Sequence, residues 1–133
     1  MEYLNKTIEI HPKHLKAHKL LAMVSMNLGE LETAFFHCKS ALEIDPDDKE
    51  ALNDLGVIVL QTGKIEEAIK LFQQSLRIDS LYAKALNNIG FAYLMIGEVE
   101  KASVHIEKVL EVEPENLMAV ENLKDISISR MFR

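Results

Sequence analysis

Residues 83–116 read AKALNNIGFAYLMIGEVEKASVHIEKVLEVEPEN, and the same order of small, apolar and turn residues recurs 34 positions earlier, and again 34 before that. Gly29, Gly63 and Gly97 fall into one column, Ala34, Ala68 and Ala102 into a second, and Leu42, Leu76 and Leu110 into a third. Ala17, Ala51, Ala85 and Ala119 form a fourth column; Pro12, Pro46, Ser80 and Pro114 form a fifth. A unit of this length has room for two helices, and it buries its apolar face only by stacking on its neighbours.

Within each unit the apolar residues return every three or four positions, as one face of a helix requires. The spacing predicts helix pairs over 15–28 and 31–45, 49–62 and 65–79, and 83–96 and 99–113. The repeated glycines then fall just past a helix end, where a left-handed residue is common and glycine meets no steric penalty. Glu32, Glu66 and Glu100 fall in the next opening turn, where the helix dipole favours negative charge. Asp47-Asp48-Lys49-Glu50 offers a capping box to the helix from 49, and the Ser80 hydroxyl offers a cap to the helix from 83. Ala22, Gly56 and Gly90 are read as facing Ala34, Ala68 and Ala102, so that the two backbones of a pair approach closely.

Leu86, Ile89, Gly90, Tyr93, Gly97, Ala102, Ile106, Val109 and Pro114 resemble the signature of the tetratricopeptide repeat, with Leu86 where tryptophan is usual. The resemblance implies an all-α, right-handed superhelical solenoid of antiparallel helix pairs, about eight helices including half-repeats at both ends. It divides one domain, 1–133, into a second helix of a partial repeat (1–14), repeats at 15–48, 49–82 and 83–116, and a C-terminal capping helix (117–133). Lys124, Ser127 and Arg130 make the outer face of that last helix polar. Leu4, Ile8 and Ile10 lack a partner helix, so this face is expected either to meet a preceding repeat or to drive self-association.

Composition narrows the function. Net charge is −6, with Lys and Arg against Asp and Glu at 5 to 4 through Ser40 and 10 to 17 beyond it. An acidic majority argues against sequence-independent nucleic-acid binding. No apolar run approaches the roughly 20 residues of a membrane span. Met1 to Asn5 holds no basic segment before an apolar core, so no secretory signal is read and a cytoplasmic location is expected. Cys38, the single cysteine, shares an inward column with Phe72 and Ile106 and reads as a buried thiol. His11, His14 and His18 are the nearest approach to a metal set, but nothing is spaced to complete a tetrahedral site. No catalytic residues, metal ligands or cofactor site are assigned, and the chain is read as a non-enzyme.

The resemblance also implies where a partner protein would sit. The first helix of each pair lines the inner face, and the matching positions here are Lys19, Leu20, Met23, Asn53, Asp54, Val57, Leu60, Lys84, Asn87, Asn88, Phe91, Leu94, Met95 and Asn122. Lys16, Met26, Asn27 and Glu50 belong to the same face. Asp54, Asn88 and Asn122 form a polar row; in relatives such as the sugar-transferring enzyme of nuclear proteins, a similar asparagine ladder holds the backbone of a peptide. The apolar stripe of Leu20, Met23, Met26, Val57, Leu60, Phe91, Leu94 and Met95 suits an amphipathic helix or apolar peptide instead. The chaperone-tail version of the family grips a carboxylate; Lys19 and Lys84 match it, but Met23, Asp54 and Asn88 do not, and Asp54 would repel the ligand. The expectation is an interaction scaffold that binds a peptide or helix of another protein. The alternatives are a self-associating structural module and a substrate-recruiting part of a larger enzyme.

Overall fold

Gly29, Gly63 and Gly97 turn the chain with φ of 76°, 86° and 79°, and among the described residues no other residue type has positive φ. The computed structural model describes Leu4 and residues 14–132. Each glycine completes the same helix end. The N–H two residues past the cap returns to a carbonyl five residues back, as in Glu30 to Ser25 (2.8 Å), Lys64 to Val59 (3.1 Å) and Glu98 to Tyr93 (2.9 Å). These bonds satisfy carbonyls that a helix end leaves unpaired.

The described helices are α1 (Leu15–Asn27), α2 (Leu31–Ile44), α3 (Lys49–Gln61), α4 (Ile65–Ile78), α5 (Ala83–Met95), α6 (Val99–Val112) and α7 (Leu117–Met131). They form an all-α repeat solenoid. The first six stop one residue short of the predicted ends, because Leu28, Asp45, Thr62, Asp79, Ile96 and Glu113 serve as C-caps. The predicted eighth helix, with Ile8 and Ile10, lies outside the described residues; Leu4 alone is described there, helical and half-buried.

Helix starts depart from the predicted chemistry in two places. Asp48 caps α3 by accepting from the Ala51 N–H at 2.9 Å, but Ala51 occupies the position where a capping box needs Glu or Gln, so the reciprocal bond has no donor-acceptor pair. Ser80 does not cap α5. The capping position is Tyr82, which makes no side-chain cap bond. Asp79 instead stabilises the preceding turn, accepting from the Leu81 N–H at 3.1 Å, as Asp45 does for Asp47.

Within a pair, the glycines face a different residue from the one predicted. A Cβ on Gly56 would lie 2.5 Å from Cε1 of Phe72, and one on Gly90 would lie 2.6 Å from Cγ1 of Ile106 and 3.6 Å from the Ala102 carbonyl. The close approach is therefore to the column Cys38, Phe72 and Ile106, about one turn beyond the alanines. All three of these residues are buried. Cys38 is a free, buried thiol whose pKa burial pushes up to about 12, which leaves it unreactive near neutrality.

Each second helix packs against the first helix of the next unit, and successive first helices touch one another. Successive second helices are not in contact among the described residues. The stack must curve toward the side where the helices meet, so α1, α3, α5 and α7 line its inner face. On the last of these, Arg130 pairs with Glu100 of α6 at 3.0 Å and Lys124 and Ser127 are exposed, while Leu117, Met118, Ile128 and Met131 are exposed apolar residues.

Candidate functional site

The capping column sets the site. His14, Asp48 and Asn116 each accept a bond from the third residue of their helix, at 3.1, 2.9 and 3.0 Å. Tyr82 stands at the same position of α5 and, having no acceptor that reaches back, turns its ring into a groove on the inner face. This groove, of about 570 Å³, is lined by Leu15, Lys16, Lys19, Leu20, Met23, Met26 and Asn27 of α1, Glu50 and Asp54 of α3, and Tyr82 and Lys84 at the start of α5. Tyr82 and Leu15 are absent from the residues predicted for this face. The signal for Tyr82 is present in the sequence: it is the one aromatic phenol in a column of capping residues.

The groove's charges are mostly paired. Lys19 holds Asp48 at 2.9 Å and Glu50 at 3.7 Å. Although burial pulls the Lys19 ammonium down, the bond to Asp48 and the charges of Asp48 and Glu50 raise its pKa on balance. Lys49 pairs with Asp79 at 2.5 Å and lies over the Tyr82 ring, 4.8 Å from its centroid. Asp54 is different. Burial, reinforced by Glu50, outweighs Lys84 and a bond from Asn53, and pushes its carboxyl up to about 6. The Tyr82 phenol is pushed up to about 12, first by burial and then by Asp54, Glu50, Asp48 and Asp79.

Of the predicted site residues, the fold brings Lys19, Leu20, Met23, Asp54 and Lys84 together in this groove. Phe91 and Met95 stand outside its lining, and with Met23 they are about half exposed, at 46%, 47% and 49%. Val57, Leu60 and Leu94 are half-buried and pack against the core. Asn53, Asn87 and Asn122 are not on the surface: they are 3%, 3% and 6% exposed. The physical reason is that neighbouring helices enclose them, and two of the three amides bond between helices. Asn88 donates to Asn53 Oδ1 at 2.9 Å, and Asn87 donates to the capping Asn116 Oδ1 at 3.0 Å. Displaced by one repeat from the Asn88–Asn53 bond, the buried Asn122 Nδ2 and Asn87 Oδ1 remain without a partner.

Among the described residues, the histidines do not converge on one point. His14 Nδ1 caps α1, whereas His18 is buried against His37, Nδ1 to Nδ1 at 3.0 Å. Burial and the neighbouring His18 lower the pKa of His37. His11 lies outside the described residues.

Paired helices stacked with a common inner face define a helical repeat scaffold. Tetratricopeptide-repeat family models match residues 15–48, 37–70, 58–97 and 83–116, and the chain belongs to the tetratricopeptide repeat family. No curated protein sequence matches it significantly. Among solved structures it is similar to the first repeat domain of Spaghetti (RPAP3) bound to the HSP90 peptide SRMEEVD. That likeness has 21% identity, a TM-score of 0.83, and coverage of 88% of this chain and 93% of that one. MamA is similar at 22% identity and a TM-score of 0.86, over 98% and 76% of the two chains. An O-GlcNAc transferase of Thermobaculum terrenum is similar at 26% identity and a TM-score of 0.81, over 84% of this chain and 22% of the enzyme. Among the described residues, no helix is long and apolar enough to cross a membrane.

Proposed function

We propose that the protein is a non-catalytic interaction scaffold whose inner groove holds a peptide or amphipathic helix of another protein. The observation that carries this reading is the groove itself, a concave space of about 570 Å³ that leaves Met23 half exposed beside Leu20 and Met26. Flexible thioethers beside a few polar groups suit an apolar segment of a partner. The Spaghetti domain, similar in fold, is bound to a peptide, which supports peptide binding as the role of this chain. Of the polar row Asp54, Asn88 and Asn122, Asn122 is buried and Asn88 is bonded to Asn53, which favours the apolar stripe as the main contact surface.

Capture from lysate by the wild type, Met23→Glu and Phe36→Glu tests the proposal. Phe36 is an exposed residue of the second helix α2. Loss of the captured protein with Met23→Glu but not with Phe36→Glu, at unchanged helicity, is the expected result. Equal capture by all three would place binding elsewhere on the chain.

A further inference from the structure

The groove has an uneven charge. Around Tyr82 stand the carboxylates of Asp48, Glu50, Asp54 and Asp79, against the ammonium groups of Lys19, Lys49 and Lys84. Lys19 is committed to Asp48 and Glu50, and Lys49 to Asp79. That leaves Asp54, half-buried between helices, with a bond from Asn53, the more distant charge of the committed Lys19, and the exposed Lys84 at the groove's edge as its main cation. Burial outweighs the attraction of this exposed, solvated cation, as expected for an ion pair open to water. A second observation points the same way: Tyr82 gives up a helix cap that its three counterparts keep, and its ring lines the groove with Asp54. The ring face already accepts one ammonium, that of Lys49, as expected of an aromatic quadrupole. Positions that break a local rule in this way are where function is to be sought.

We propose that Asp54, together with Tyr82, receives a lysine or arginine side chain of the partner segment, whose adjacent apolar residue lies on Leu20 and Met23. The assignment rests on the groove being the binding surface. It makes the partner opposite in charge to the acidic SRMEEVD peptide held by the Spaghetti domain, because a carboxylate ligand would have to approach the Asp54 anion. The partly offset Asp54 charge supplies specificity and the apolar floor supplies most of the affinity.

Selection from a displayed library of random linear peptides, run on the wild type, Asp54→Asn and Met23→Glu, tests this directly. The wild type is expected to enrich sequences with Lys or Arg next to an apolar residue, and Asp54→Asn to lose that preference while still binding. Titrating the best peptide and its Lys→Gln or Arg→Gln version then gives a double-mutant cycle. The change should weaken binding to the wild type by about tenfold and leave binding to Asp54→Asn unaltered. Peptides that need Met23 but carry no basic residue, or that lose equally on both proteins, would overturn the Asp54 assignment and leave the groove intact. Enrichment no better than with Met23→Glu would remove the groove reading as well. A wild-type dimer that Met23→Glu dissociates would mean that a second copy fills the groove, and would overturn the proposal.

Discussion

Asn88 donates its amide to Asn53 Oδ1 at 2.9 Å, tying α5 to α3 across successive repeats. An amide that the sequence offers to a bound peptide is therefore already used, in part, to hold the stack together. Asn53→Ala should destabilise the protein by about 1 kcal/mol, the usual net value of such a bond, with Asn88 then turning to water. Urea unfolding monitored by circular dichroism measures it. A change of midpoint within error would mean that the bond contributes nothing.

The glycines separate two kinds of constraint. Gly90→Leu drives side-chain atoms into Ile106, where even a Cβ would sit 2.6 Å from Cγ1, and should cost about 1–3 kcal/mol through overpacking. Gly97→Ala meets no atom within 4 Å but keeps a φ of 79°, at about 1 kcal/mol. Thermal melts should place Gly90→Leu clearly lower; equal melting temperatures would show that α5 and α6 separate readily.

Asp54 gives a pH signature. Its folded pKa, raised to about 6 from 3.8, means that the folded state binds the proton more tightly than the unfolded chain. The resulting penalty is absent below about pH 4, develops as pH rises between the two values, and is full above about 6. Asp54→Asn should accordingly be more stable than the wild type at pH 7.5, by about 1–2 kcal/mol after discounting for partial exposure. The two proteins should converge near pH 4. Denaturation series at both pH values check the sign, and a wild type more stable than the variant at pH 7.5 would contradict it.

Asp48 has two tasks, capping α3 and pairing with Lys19. Asp48→Ala should cost about 1–2 kcal/mol, chiefly through the cap. Glu50→Ala should cost well under 1 kcal/mol, because that carboxylate is exposed and 3.7 Å from Lys19. Chemical denaturation of both variants should rank them in that order.

Phe91→Ala should leave stability nearly unchanged, since the ring is 46% exposed, yet weaken partner capture if the bound segment runs along α5 beyond the groove. An exposed aromatic near an interface centre commonly accounts for about 2 kcal/mol, whereas a rim lysine such as Lys16 contributes little. Binding titrations with both variants test the extent of the contact; equal effects would confine the partner to the α1 end.

The sequence by itself determined the repeat, the helix pairs, the left-handed turns at Gly29, Gly63 and Gly97 and the buried Cys38, Phe72 and Ile106 column. These depend on local backbone preference and on the spacing of apolar residues, which a linear pattern records. Only the tertiary structure decided which inner-face residues are available. Asn53, Asn87 and Asn122 occupy the same kind of repeated position as exposed residues, but neighbouring helices enclose them, so one-dimensional spacing cannot distinguish a bound amide from a free one. Tyr82 joins the groove for the same reason. Its helix lies two first helices away from α1 in the chain, and only the curvature of the stack brings it opposite Leu20 and Met23, with Asp54 between them as the carboxylate whose environment no sequence position specifies.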